Sequence, residues 1–230
     1  TDKVLLTGIS GWIAKHTAIE LLNSGYEVLG TVRNNTLIEQ TKETISQHAS
    51  IDKLSFVELE LLKDDGWNEA AKECKYIMHL ASPFPFKVSN NRNSLLAPAV
   101  DGTLRVLNAG LNADVEQFIV TSSIAAMFRK PNRSNPYSFN ENDWTDENWK
   151  EGVNDYFLSK TKAEKASWEL IESKGLKNKL TMINPGGVFG DALDKKGGTS
   201  IEYVRQFMKG KFPAAPKWGI LISDVKDVAK

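Results

Sequence analysis

One cysteine, Cys74, stands among 230 residues, so no disulfide can form within the chain and the fold must be held by its core. Histidine is scarce too: His16, His48 and His79 are scattered, without the spacing of a zinc site. Charge of one sign is lacking, since 29 basic residues face 29 acidic ones, which leaves no field to draw the chain onto nucleic acid or an anionic membrane. No apolar run approaches the ~18 residues that a bilayer span needs, and the first residues lack the pattern of a secretory leader. These absences point to a soluble, cytoplasmic protein whose partner is a small molecule.

What is present is organised around residues 3–14, KVLLTGISGWIA. Val4, Leu5 and Leu6 make the short continuous apolar run of a strand buried on both faces, and it stops at Thr7-Gly8. Gly8, Gly11 and Ala14 follow at intervals of three, small residues where backbone, ligand and helix approach one another. A helix starting there offers unpaired N–H groups and a partial positive charge, which suits a dinucleotide diphosphate. The glycines alone would equally serve a plain strand–turn–helix connection; the βαβ context that follows raises them to a dinucleotide signature.

Residues 12–23 have helical spacing, 27–32 read as a second strand, 37–48 as a helix, 54–59 as a third strand, 67–73 as a helix and 76–80 as a fourth strand. A helix over 94–113 and a fifth strand over 117–120 complete an alternation that predicts an α/β fold, a doubly wound parallel sheet of the Rossmann type. Arg33 closes the second strand, where an acidic residue would accept from a free ribose 2′-hydroxyl; an arginine suits a 2′-phosphate and favours NADPH over NADH. His79, inside the fourth strand, reads as a packed imidazole rather than a base. Residues 129–154, rich in Asn, Pro, Ser, Asp and Trp, form a long loop, and loops of that length in compact domains usually have a function. A helix then opens near Asp155, a sixth strand covers 180–184, the chain is irregular from Val188, and a last helix spans 200–209.

Tyr156 and Lys160 lie four apart at the start of that helix, so their side chains share one face. A neighbouring ammonium favours the phenolate, which would tune Tyr156 to hand a proton to a carbonyl. Ser123, at the end of the fifth strand, could hold the same oxygen. Taken alone, Y-x-x-x-K is common on helix surfaces; its weight comes from the order of glycine turn, serine, then tyrosine and lysine.

TGISGWIA (7–14), TVRN (31–34), HLASP (79–83), DGT (101–103), TSSIAA (121–126), ENDWTD (141–146), YFLSK (156–160), NPGGVFG (184–190) and DVKDVA (224–229) stand in the order of a known family. The chain resembles an extended short-chain dehydrogenase/reductase, in the branch of dihydroflavonol reductases, cinnamoyl-CoA reductases and yeast-type aldehyde reductases. The resemblance implies that Gly8, Gly11, Trp12 and Ile13 hold the pyrophosphate of NADP and that Arg33 reads its 2′-phosphate. It places Glu60 and Leu61 at the adenine, where the family usually has Asp-Leu. Ala81 and Ser82 would line the phosphate–ribose channel, with Thr121 in the same cofactor set, and Pro185, Gly187 and Val188 would back the nicotinamide. Ser123, Tyr156 and Lys160 become the catalytic set, with Lys160 and Tyr156 also touching the cofactor.

The activity implied is NADPH-dependent reduction of an aldehyde, ketone or flavanonol-like carbonyl to an alcohol. The alternatives are an NAD-dependent sugar-nucleotide epimerase or dehydratase and a non-catalytic NADP-binding sensor. Residues 1–190 would form the NADP-binding domain with the catalytic residues, and 191–230 the start of a substrate-binding lobe that is incomplete against the family's greater length. Phe84, Phe86, Met127, Phe128, Phe189 and Tyr203 are candidate pocket walls, and a homodimer would pair the helices that carry DGT and YFLSK.

Overall fold

The computed structural model describes all residues except 83–92, 135, 196, 213 and 215–218. Pro83 and the candidate pocket walls Phe84 and Phe86 therefore lie outside the described residues. Six strands, β1 (Lys3–Thr7), β2 (Glu27–Val32), β3 (Leu54–Glu58), β4 (Tyr76–His79), β5 (Gln117–Thr121) and β6 (Leu180–Ile183), form one parallel sheet in the order β3-β2-β1-β4-β5-β6. Between them run α1 (Trp12–Asn23), α2 (Ile38–Ser46), α3 (Trp67–Lys72), α4 (Asn93–Asn112) and α5 (Asp155–Ser173).

The alternation within β1 shows why the sheet is covered on both faces. Leu5 packs with Leu29, Ile77 and Phe118 beneath α3, α4 and α5, while Leu6 packs with Val28 and Val32 beneath α1 and α2. Both leucines are fully buried, and burial of such a side chain contributes about 2 kcal/mol. The strand order reverses between β1 and β4, so the crevice for a ligand opens at the carboxyl ends of these two strands. Thr7 and His79 are paired in register at that edge.

The strands and helices before residue 185 match the sequence reading to within a few residues. The last helix, expected over 200–209, is α6 (Thr199–Met208), but the rest of the chain expected to be irregular from Val188 is not: β7 (Gly187–Phe189) pairs in parallel with β8 (Ile222–Asp224), and α7 (Val225–Ala229) follows. Three-residue strands carry no readable period, and β7 finds its partner only across α6. The pair joins segments on either side of residue 190. Tyr203, on α6, is 61% exposed.

The segment 129–154 has no strand or α-helix among its described residues but is held by side chains. Asp143 accepts from the Tyr137 hydroxyl at 2.6 Å, from Asn140 N at 2.9 Å and from Lys130. Thr145 donates to Ala125 O at 2.8 Å and accepts from Arg129 N at 3.1 Å, which ties the loop to the turn that follows Ser123. The Arg129 guanidinium lies 5.1 Å from the Phe128 ring centre and 4.8 Å from that of Phe157.

Candidate active site

The turn after β1 is tight and leaves the start of α1 uncovered. Gly8 has φ +70°, and a Cβ there would lie 3.0 Å from Ala81 Cα, so both conformation and space require glycine. Gly11 N donates to Gly8 O at 2.8 Å, closing the turn. Gly11 is also the N-cap of α1, which has no side-chain cap and no acidic residue in its first turn. A Cβ on Gly11 would meet only Gly8 O, at 3.1 Å, so the face above the turn is open and the first N–H groups with the positive helix pole are directed to it. Ile13 follows in the same first turn. The Trp12 indole is engaged elsewhere, donating to Asp191 O at 2.8 Å, so Trp12 can serve an anion only through its backbone. Lys15 pairs with Asp194 and His16 meets Asp191 O at 2.9 Å, so α1 also holds the segment after β7.

Arg33 leaves the end of β2 with its side chain exposed. The turn beyond it is fixed by Thr36 N donating to Asn34 Oδ1 at 2.9 Å and Asn35 N donating to Glu58 Oε2 at 2.9 Å. Glu60 and Leu61 stand past the end of neighbouring β3. The Glu60 carboxylate pairs with Lys63 at 2.9 Å, and Leu61 packs on α4 where Gly102 has no Cβ to obstruct it. Arg105 of α4 donates to Leu61 O, which anchors that backbone.

Ser123, Tyr156 and Lys160 are brought together. Ser123 follows β5, its Oγ accepting from Ala125 N at 3.2 Å, and its side chain hydrogen-bonds the Tyr156 phenol. α5 begins where the sequence placed it, with Asn154 Oδ1 accepting from Phe157 N at 3.0 Å. One turn on, the buried Lys160 ammonium reaches Thr121 O at 3.5 Å. Burial pushes this lysine down to about 8, opposed by the Glu164 carboxylate. Tyr156 runs against the sequence expectation of a lowered phenol. Burial raises it above its ordinary value, with the Ser123 hydrogen bond acting the other way, so Tyr156 is a protonated acid at neutral pH.

His79 is the packed imidazole expected. Thr7 Oγ1 accepts from Leu80 N and Ala81 N, each at 3.0 Å, so its own hydrogen goes to His79 Nδ1 at 2.8 Å. The ring proton is then on Nε2 and faces Thr103 Oγ1 at 3.1 Å, while Thr103 donates to Ala99 O at 2.7 Å. Burial, then the nearby Lys160 charge, lowers His79 to about 3 and keeps it neutral. Ala81 and Ser82 line the same edge with Thr121. Pro185 O accepts from Ile124 N at 3.1 Å, Gly187 N donates to Leu221 O at 2.8 Å, and Val188 is buried within β7. Met127, Phe128 and Phe189 are half-buried near these elements.

Sequence reasoning missed Thr7, Thr103, Glu164 and Asn184. Glu164 carried a signal, lying four residues beyond Lys160 on the same helix face. Asn184 opens the NPGGVFG stretch, but its bonds could not be read there because its partners are distant in sequence.

The sequence pattern of the NAD dependent epimerase/dehydratase family matches residues 4–226. The chain belongs to this family. Within it, the chain is 33% identical to the NADPH-dependent methylglyoxal reductase of Saccharomyces cerevisiae over 99% of its own length and 72% of that protein. It is 33% identical to cinnamoyl-CoA reductase 1 of Petunia hybrida, over 98% of its length and 66% of the relative. Among solved structures, it superposes on yeast methylglyoxal/isovaleraldehyde reductase complexed with NADPH with a TM-score of 0.82 at 32% identity, covering 99% of this chain and 72% of that one. The family resemblance read from the motifs and the doubly wound fold are thus both found.

Proposed function

We propose that this chain is an NADPH-dependent carbonyl reductase, with Tyr156 as general acid, Ser123 as holder of the carbonyl oxygen and Lys160 as the cation that steadies both tyrosine and cofactor. The observation that carries the reading is the hydrogen bond between Ser123 and Tyr156 at the carboxyl edge of the sheet, with the buried Lys160 one turn away. The uncapped α1 and the open face above Gly11 fit a dinucleotide diphosphate, and the exposed Arg33 fits a 2′-phosphate. Bound NADPH would supply the hydride.

In carbonyl reduction the negative charge develops on the carbonyl oxygen, which is the atom on which this chain's own residues would act. Tyr156 gives its proton to that oxygen, and Ser123 donates a hydrogen bond that keeps the oxygen in place. The tyrosinate left behind is stabilised by the Lys160 ammonium until a proton returns from solvent. The relatives' names point to an aldehyde such as methylglyoxal or isovaleraldehyde, or a thioester such as cinnamoyl-CoA, as the substrate class. The homodimer would use the outer faces of α4 and α5, where Leu96, Val100 and Ala166 line a groove, and size-exclusion mass would test it. No described helix is long and apolar enough to cross a membrane.

Fluorescence titration with NADPH and NADH, followed by a carbonyl panel at saturating NADPH, tests the assignment. Tighter NADPH binding and carbonyl-dependent NADPH consumption are expected. NADPH binding without turnover of any aldehyde, ketone or thioester would move the chain to a sensor role.

A further inference from the structure

Glu164 and Asn184 have no part in the proton transfer described above, yet their geometry is saturated. Asn184 leaves the end of β6, and its amide nitrogen has two hydrogens and two acceptors, Glu164 Oε2 at 2.7 Å and Ser123 O at 3.1 Å. The backbone on either side of Ser123 is bonded to the same segment, Ser122 N to Ile183 O at 2.8 Å and Ile124 N to Pro185 O at 3.1 Å. Glu164 is only 9% exposed, sits one turn beyond Lys160, and lines with it a cavity of about 20 Å³ enclosed by α4, α5 and the ends of β4, β5 and β6.

The geometry points to Glu164 as the positioning residue of the site: through Asn184 it fixes Ser123, and its carboxylate holds Lys160 in the charged form. This rests on the reductase reading for the part that concerns turnover. Among the described residues, the ionisable groups that line the cavity with Lys160 are Glu164 from α5 and His79 from β4, and Tyr156 lies one turn before it on α5. The other elements contribute Ala99, Thr103, Thr121, Ser122 and Met182, none of them ionisable. His79 is neutral and Tyr156 protonated, so among the described residues Glu164 is the one anion that offsets the cost of burying the ammonium.

The test is a pH titration of the Lys160 side chain by NMR of the full chain with ¹³C-labelled lysine, assigned with Lys160→Arg. Glu164→Gln is expected to lower the Lys160 midpoint by about one unit, and Glu164→Asp to recover part of that shift. Asn184→Ala keeps the carboxylate, so its Lys160 midpoint stays in place while kcat falls about tenfold at unchanged NADPH affinity. A midpoint unmoved in Glu164→Gln, or an unchanged kcat in Asn184→Ala, would overturn the assignment. Should Glu164→Gln not fold, Glu164→Asp carries the test, with a smaller fall expected and no fall contradicting it. Absence of turnover in the wild type would count against the reductase reading, whereas the titration needs no substrate and still decides the role of Glu164.

Discussion

Arg33 and Lys160 show how much one side chain can decide. Arg33 is exposed at the end of β2, where a charge-assisted bond to a 2′-phosphate would be partly screened. Arg33→Ser should therefore weaken NADPH binding by about tenfold and leave NADH binding unchanged, as read by cofactor fluorescence. Equal weakening of both cofactors would mean that Arg33 supports the fold of the turn instead. Lys160 gives the pH dependence. With its midpoint lowered by burial to about 8, it is mostly charged at pH 7 and loses its charge as pH rises through 8, so NADPH affinity and carbonyl reduction should both decline on that alkaline limb. A flat profile between pH 7 and 9 would contradict the assignment. Cys74, by contrast, is buried and its thiol is pushed up to about 12, so it is inert at neutral pH.

At the level of elements, the loop 129–154 does work that its composition did not disclose. Asp143 is held down to about 2, chiefly by the Lys130 hydrogen bond, then by Tyr137 and Asn140 N. Its folded-state value lies below its unfolded one, so its stabilisation is present above pH ~4 and is lost as pH falls toward 2. Asp143→Asn should accelerate amide exchange across 129–146 at neutral pH with little change in β1–β5, and should remove that acid sensitivity. Protection unchanged across the loop would show that Thr145 and the Arg129 stack suffice. The sequence marked this loop as functional by length, but the bonds of Asp143, Thr145 and Arg129 join residues whose pairing no local pattern encodes. β1 to β6 were legible because their apolar runs end in glycine, proline or polar residues at regular intervals. β7 and β8 were not, because each is three residues long and is defined only by its distant partner. The same distinction separates Tyr156 and Lys160, readable from their spacing, from Asn184, whose bonds to Ser123 and Glu164 exist only once β5, β6 and α5 have assembled.

For the whole molecule, cofactor binding should be tied to stability, because the Gly8–Gly11 turn, Arg33 and the Ser123–Tyr156–Lys160 edge are all borne by one sheet. NADPH at a hundredfold excess over its Kd should stabilise the chain by about 2.7 kcal/mol and raise Tm by roughly 5–10 °C, with a smaller rise for NADH at equal concentration. No rise with either nucleotide would mean that the turn at Gly8 and Gly11 binds neither. The proposed chemistry turns on one group, Tyr156, as the source of the proton that completes carbonyl reduction. The most direct measurement is the rate of carbonyl-dependent NADPH consumption by the wild-type chain and by Tyr156→Phe, with NADPH affinity measured on both. A loss of at least about a hundredfold in kcat at nearly unchanged NADPH affinity is expected. Full activity in Tyr156→Phe would contradict it.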